Sequence, residues 1–186
     1  MTKRLIAIAG MLLAFSPVSL AQGSSKNMEA ELEKQFKKMK ADPRYSKAFD
    51  DDADAPKRFP DARKFGVPLA VPANESQTAT LLKNLYTAYK TKMPLAAIAA
   101  AENIAETLNN DGEKLGVAAV SGWYNGAQGP AVLLALQASI QKPSDPLILN
   151  NLSAMLNMGG ASYHALPLLQ SLVKSYPENP MVLNNL

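Results

Sequence analysis

Few residues in this sequence have the types and spacing that chemistry requires. There is no cysteine and a single histidine, His164, among 186 residues. That excludes disulfides, thiol nucleophiles, cysteine zinc sites, lipid attachment through an N-terminal cysteine and multi-histidine metal centres. His164 falls near the start of an apolar helical stretch, where a structural role is expected. No nucleophile and base stand at the spacing of a known catalytic constellation, so no enzyme is expected. Asp50, Asp52 and Asp54 stand at the one-three-five spacing of a calcium loop. The pattern then breaks: Ala55 replaces the turn glycine, Pro56 and Pro60 stiffen the chain, and Asp61 stands where a longer Glu closes the shell. A solvated acidic turn is expected there, and no metal or other cofactor.

The chemistry that remains is that of binding. Asn150 and Asn151 recur further along the chain as Asn184 and Asn185, within a longer repeated segment. A side-chain amide both donates and accepts, so it can bond the main chain of an extended peptide without reading its sequence. Tyr89, Trp123 and Asn157 follow one another at that same interval, with Tyr86, Val120 and Ala154 one helical turn before them. Large, rigid rings anchor a partner at low entropy cost. Each group has two readings. Trp123 and Tyr124 either face a partner or pack between helices, and one Asn of each pair either meets a peptide or satisfies a local backbone group.

The elements that position these residues come after a leader. Lys3 and Arg4 precede an 11-residue apolar run over 5–15, and Ser19-Leu20-Ala21 fits a small-x-small cleavage site. The run is too short for the ~20 residues of a spanning helix. Residues 1–21 are therefore read as a secretory signal peptide, the alternative being an uncleaved anchor, and the mature chain as exported with no stable membrane span. The periplasm is the expected compartment, with the extracellular space or cell surface as the alternative. Loss of Lys3 and Arg4 lowers the net charge from +3 to +1. The high isoelectric point therefore does not signal nucleic-acid binding, which needs clustered Lys and Arg.

Charge divides the rest. Residues 22–75 hold 11 Lys/Arg and 10 Asp/Glu, whereas the longer stretch 76–186 holds six of each. In the charged part, Met28, Leu32, Phe36 and Met39 form one stripe of a helix predicted over 27–41, which Asp42-Pro43 ends. The helix reads either as a cap on the later helices or as a partner-binding helix. From 43 to 72, five prolines and no apolar period predict an extended strap without a core of its own.

The stretch 76–186 repeats itself. Pro143-Ser144-Asp145-Pro146-Leu147-Ile148-Leu149-Asn150-Asn151-Leu152 returns as Pro177-Glu178-Asn179-Pro180-Met181-Val182-Leu183-Asn184-Asn185-Leu186, with six positions identical. Asp145 and Asn179 suit helix N-caps, and Pro146 and Pro180 suit the first helical position, where no amide hydrogen is missed. Leu149, Leu152 and Leu156 form the inward stripe, Gly159-Gly160 the turn, and Ala165, Leu168, Leu169, Leu172 and Tyr176 a second helix closed by Pro177. Earlier units are read at 112–145 and, more divergently, at about 78–111, with a further unit begun at 180–186.

Leu149, Leu152, Gly160, Ala165, Leu169 and Pro177, at a 34-residue period, resemble the tetratricopeptide repeat (TPR) family. Ser153 and Ala119 depart from it by standing where the family usually has glycine. The resemblance implies an all-α fold, a right-handed superhelical array of antiparallel helix pairs. It also implies a concave groove that takes a protein or extended peptide, some family members holding a peptide backbone on an asparagine ladder. The groove residues expected on that basis are Tyr86, Tyr89, Trp123, Asn150, Asn151, Asn157, Asn184 and Asn185. The half-unit at Leu186 is read as the start of further repeats in a longer protein, or as a short docking helix. A non-catalytic envelope scaffold is the expected function. The alternatives are the adaptor part of a longer protein whose active domain lies beyond Leu186, and a purely structural spacer.

Overall fold

The computed structural model describes residues 22–49, 59 and 62–185. The leader at 1–21, the acidic residues Asp50, Asp51, Asp52, Asp54 and Asp61, and Leu186 lie outside the described residues. Among the described residues the fold is all-α, with no strand. The helices are α1 (Gln22–Ala41), α2 (Glu75–Lys92), α3 (Leu95–Thr107), α4 (Gly112–Tyr124), α5 (Gln128–Gln141), α6 (Pro146–Met158), α7 (Ser162–Ser175) and α8 (Pro180–Leu183), with 3₁₀ turns at Ser46–Ala48 and Ala62–Phe65.

The repeat period governs local structure with no slippage in the second half of the chain. Helices α4 and α6 begin and end exactly one period apart, as do α5 and α7. Their starts are capped alike. Asp111 Oδ1 accepts from the amides of Glu113 and Lys114, Asp145 Oδ1 from those of Leu147 and Ile148, and Asn179 Oδ1 from that of Met181. Each acceptor satisfies amides that the first helical turn leaves unpaired. The turns are alike too. Gly126 at φ 83° and Gly160 at φ 79° occupy the left-handed region. The next amides, of Ala127 and Ala161, reach back to the carbonyls of Gly122 and Leu156 at 2.8 and 2.7 Å. Such a left-handed closure folds the second helix back on the first, and α4 packs along α5 and α6 along α7.

Helices α2 and α3 do not form a third such pair. Their junction, Met93-Pro94, is extended, with ψ near 149° and 144° and no left-handed residue. The chain therefore leaves α2 without folding back, and both helices pack on α5 instead of along one another. Helix α2 runs antiparallel to α5: Tyr86 meets Gln137 near the middle, and the sulfur of Met93 approaches Gly129 at the start of α5. The stretch 78–111 thus keeps two helices but not the packing of a unit, and its first helix, at 18 residues, is longer than the 13 of α4 and α6.

Helix α5 is the centre. It carries no charged residue, and nine of its side chains from Pro130 to Ser139 are buried. A helix apolar on all sides must be covered on all sides, and α2, α3, α4 and α6 do this.

Helix α1 behaves as a cap, with Leu32, Phe36 and Met39 buried against α4 and the adjoining 3₁₀ turn. It starts at Gln22, five residues before the predicted start, because the helical backbone continues beyond the apolar stripe that marks it in the sequence. Phe36, 1% exposed, stacks edge-on to Phe49 and fills the space over Gly122. A Cβ on Gly122 would lie 2.8 Å from the end of the Phe36 ring. The described residues of the proline-rich strap lend side chains to the helices: Phe49, Phe59 and Ala62 are buried and Phe65 partly so.

Truncating Phe36 to Ala is expected to destabilise the protein by about 3–5 kcal/mol, and Gly122→Ala by about 1–3 kcal/mol through overpacking. In the Phe36→Ala background, Gly122→Ala is expected to be neutral or stabilising, because the clash is gone and alanine favours helix. Urea unfolding of the four proteins measures this coupling.

Candidate binding face

Helices α4 and α6 present residues at equivalent repeat positions: Val117 with Asn151, Val120 with Ala154, Trp123 with Asn157, and Tyr124 with Met158. Val117, Val120, Asn151 and Asn157 are half-buried, and Tyr124 and Met158 are exposed. Trp123 is only 9% exposed, so its ring serves mainly as the floor of this strip. The strip is almost without charge. Helices α6 and α8 contain no Asp, Glu, Lys, Arg or His, and among these types α4 contains only Glu113 and Lys114, in its first turn. Glu113 is engaged at the exposed edge by Lys142, 3.0 Å away.

The asparagines split into two groups. Asn150 is 2% exposed, and its Oδ1 accepts a 2.9 Å hydrogen bond from Asn185 Nδ2. Asn157 Nδ2 donates to the main-chain carbonyl of Asn185 at 3.0 Å, and Asn185 Nδ2 also reaches the carbonyl of Met181. These amides fasten α8 to α6, in the place where a further first helix stacks, and their hydrogen-bonding capacity is largely used within the chain. Asn151 and Asn184 remain accessible. The buried Ser153 hydroxyl is satisfied by donating to the carbonyl of Leu149 at 2.8 Å.

Tyr86 and Tyr89 lie elsewhere. Because α2 lies across α5 instead of stacking before α4, stepping back by one repeat does not carry the strip onto it. Tyr86 accepts a 3.2 Å hydrogen bond from Gln137 Nε2 and carries the Lys90 ammonium over its ring. Tyr89 is fully buried, its Oη joined to His164 Nδ1 at 3.0 Å, 75 residues along the chain. Around this pair stand Phe59 and Phe65, with ring centroids 5.2 and 5.0 Å from that of Tyr89. Burial pushes the Tyr89 phenol above its ordinary pKa and holds the His164 imidazole below its own, so both are neutral near pH 7. The sequence signal for the pair was the unshared polarity of two residues on otherwise apolar stripes, but nothing local links them.

Among the described residues no cluster of three His, Cys, Asp or Glu side chains could hold a metal ion, and no helix is long and apolar enough to cross a membrane. Comparison with protein-family models, with curated proteins and with solved structures finds no match to this chain.

Two substitutions separate the internal amides from the accessible ones. Asn185→Ala is expected to cost α8 about 1 kcal/mol of local stability, read as faster exchange of the Met181, Val182 and Leu183 amides, while Asn184→Ala changes it by less than about 0.5 kcal/mol. Tyr89→Phe keeps the ring but strips His164 of its partner, and is expected to cost about 1–3 kcal/mol in thermal or urea unfolding.

Proposed function

We propose that this chain is a non-catalytic, TPR-like scaffold of the cell envelope that binds an uncharged extended peptide or protein segment across the α4–α6 strip. The observation that carries this reading is the strip itself: half-buried Val117, Val120, Asn151 and Asn157 and exposed Tyr124 and Met158 at matched positions on two helices of one repeat period. Aromatic and aliphatic side chains supply desolvation energy, and Asn151 supplies a donor and an acceptor for a peptide main chain. The near absence of charge in α4, α6 and α8 selects against acidic or basic partners, since a charge brought there would lose water without gaining a counter-ion. The superhelical reading of the two hairpins rests on their shared register and on the packing of α5 against α6. Export to the periplasm rests on the charged, apolar and small-residue order of residues 1–21.

Twelve-residue peptides selected from a random phage-displayed library on the purified protein test the reading. Calorimetry with the tightest peptide is expected to show little dependence on salt, because no ion pair forms. Asn151→Ala combined with Tyr124→Ala is expected to weaken that peptide at least tenfold, about 1.4 kcal/mol, with the circular dichroism unchanged. Affinity that survives this change, or that falls steeply with salt, overturns the proposal.

A further inference from the structure

Strap residues 59 and 62–72 meet the helices along their length. At the far end Ser171 Oγ donates to the carbonyl of Pro72 at 3.1 Å. Another hydrogen bond from the strap to the helices and its ring contacts gather near the buried Tyr89–His164 pair. The amide of Phe59 donates to the carbonyl of Gly159 at 2.9 Å, and its ring lies over that glycine, where a Cβ would come within 2.6 Å of it. The Phe65 ring stands 5.9 Å from the imidazole and edge-on to Tyr89. The guanidinium of Arg63 lies 5.2 Å above the Tyr163 ring, and the 3₁₀ turn Ala62–Phe65 packs on α7. Between these points Val67 and Leu69 are partly buried against the helical core. Gly66 is exposed, at φ 70°, with nothing within reach of a Cβ.

The groups that face the imidazole offer no counter-charge. From its own helix comes Tyr163; from α2, Tyr89, with Lys90 beyond it engaged by Glu102 at the surface. The 3₁₀ turn contributes the Phe65 ring, while its Arg63 lies exposed over Tyr163. Among the described residues packed on His164 there is no carboxylate. A proton taken up here would place a desolvated charge among aromatic rings, a state the closed packing opposes.

We propose that the Tyr89–His164 pair is an acid-sensitive latch: protonation of His164 frees the strap from α2 and α7 while the α4–α5 and α6–α7 hairpins stay folded. The strap is the element that yields because it closes over the pair with few hydrogen bonds, whereas the hairpins are held by continuous helices and α5. The direction follows from linkage. His164 is held neutral in the closed form and regains its ordinary pKa of about 6.5 when exposed. The open form therefore binds the extra proton, and opening is favoured as the pH falls below that value.

Amide hydrogen exchange of the full chain, corrected for intrinsic rates and followed from pH 7.5 to pH 4.5, tests this. The protection of the Phe59 amide, which is hydrogen-bonded to Gly159, is expected to fall about tenfold per pH unit below about 6.5. That of α4 and α5 is expected to hold. His164 is the only histidine, so its ring proton signal reports protonation directly and is expected to move together with strap opening. His164→Gln is expected to abolish the pH slope. Gly159→Ala, which displaces the Phe59 ring, is expected to open the strap at pH 7.5 with helical content unchanged. A strap that stays protected to pH 4.5, a slope that persists in His164→Gln, parallel loss of protection in α4 and α5, or unchanged strap protection in Gly159→Ala would each overturn the latch.

Discussion

The burial of α5 is the constraint on which the other elements depend. A 14-residue helix without a charged side chain, with Ala131, Ala135 and Ala138 among its buried residues, can exist in water only if neighbours cover its whole circumference. Small side chains let the neighbours come close. Two of the covering helices are supplied by the repeat, α4 before it and α6 after it. The opposite side is covered by α2 and α3, which the repeat arithmetic would have placed in line ahead of α4. The demand for cover on α5 outweighs the tendency of consecutive helix pairs to stack in one direction.

What decides between the two outcomes is a single backbone conformation at each turn. Gly126 and Gly160 adopt the left-handed region that closes a helix and returns the chain along it. At the matching place between α2 and α3 the chain has Lys92, Met93 and Pro94, none of which adopts that conformation. The helices therefore diverge, α1 takes over the edge of α4 left bare, and Gly122 provides the room that Phe36 requires there. One turn without glycine thus redirects the cap, the strap and the buried aromatic cluster together.

The same rearrangement sorts polar groups by function. On the α4–α6 side, Asn151 and the half-buried aliphatic side chains keep their capacity for a partner, while Asn150, Asn157 and Asn185 spend theirs holding α8. On the α2–α7 side, two polar side chains meet in a pocket closed by phenylalanines from the strap, and each satisfies the other. A hydrogen bond in so dry a place is worth more than in water and costs more to leave unmade, which makes this pair sensitive to a single proton.

The starts of α6 and α8, the turn between α6 and α7 and the repeat period were legible in the sequence, because caps such as Asp145 and Asn179, prolines at first helical positions and the glycines of the turns act within a few residues of themselves. The stripe of α1 was legible for the same reason: Leu32, Phe36 and Met39 need only helical spacing to share a face. The destination of α2 was not. Its apolar positions fit a repeat helix as well as a covering helix, and only the shape left open on α5 distinguishes them. The meeting of Tyr89 with His164, the insertion of Phe59 and Phe65 beside them, and the pairing of Asn150 with Asn185 were likewise decided by tertiary structure. Each joins residues far apart in sequence, whose contact depends on which gap the packed helices leave, whereas helix caps and turns depend on backbone groups that the chain carries beside them.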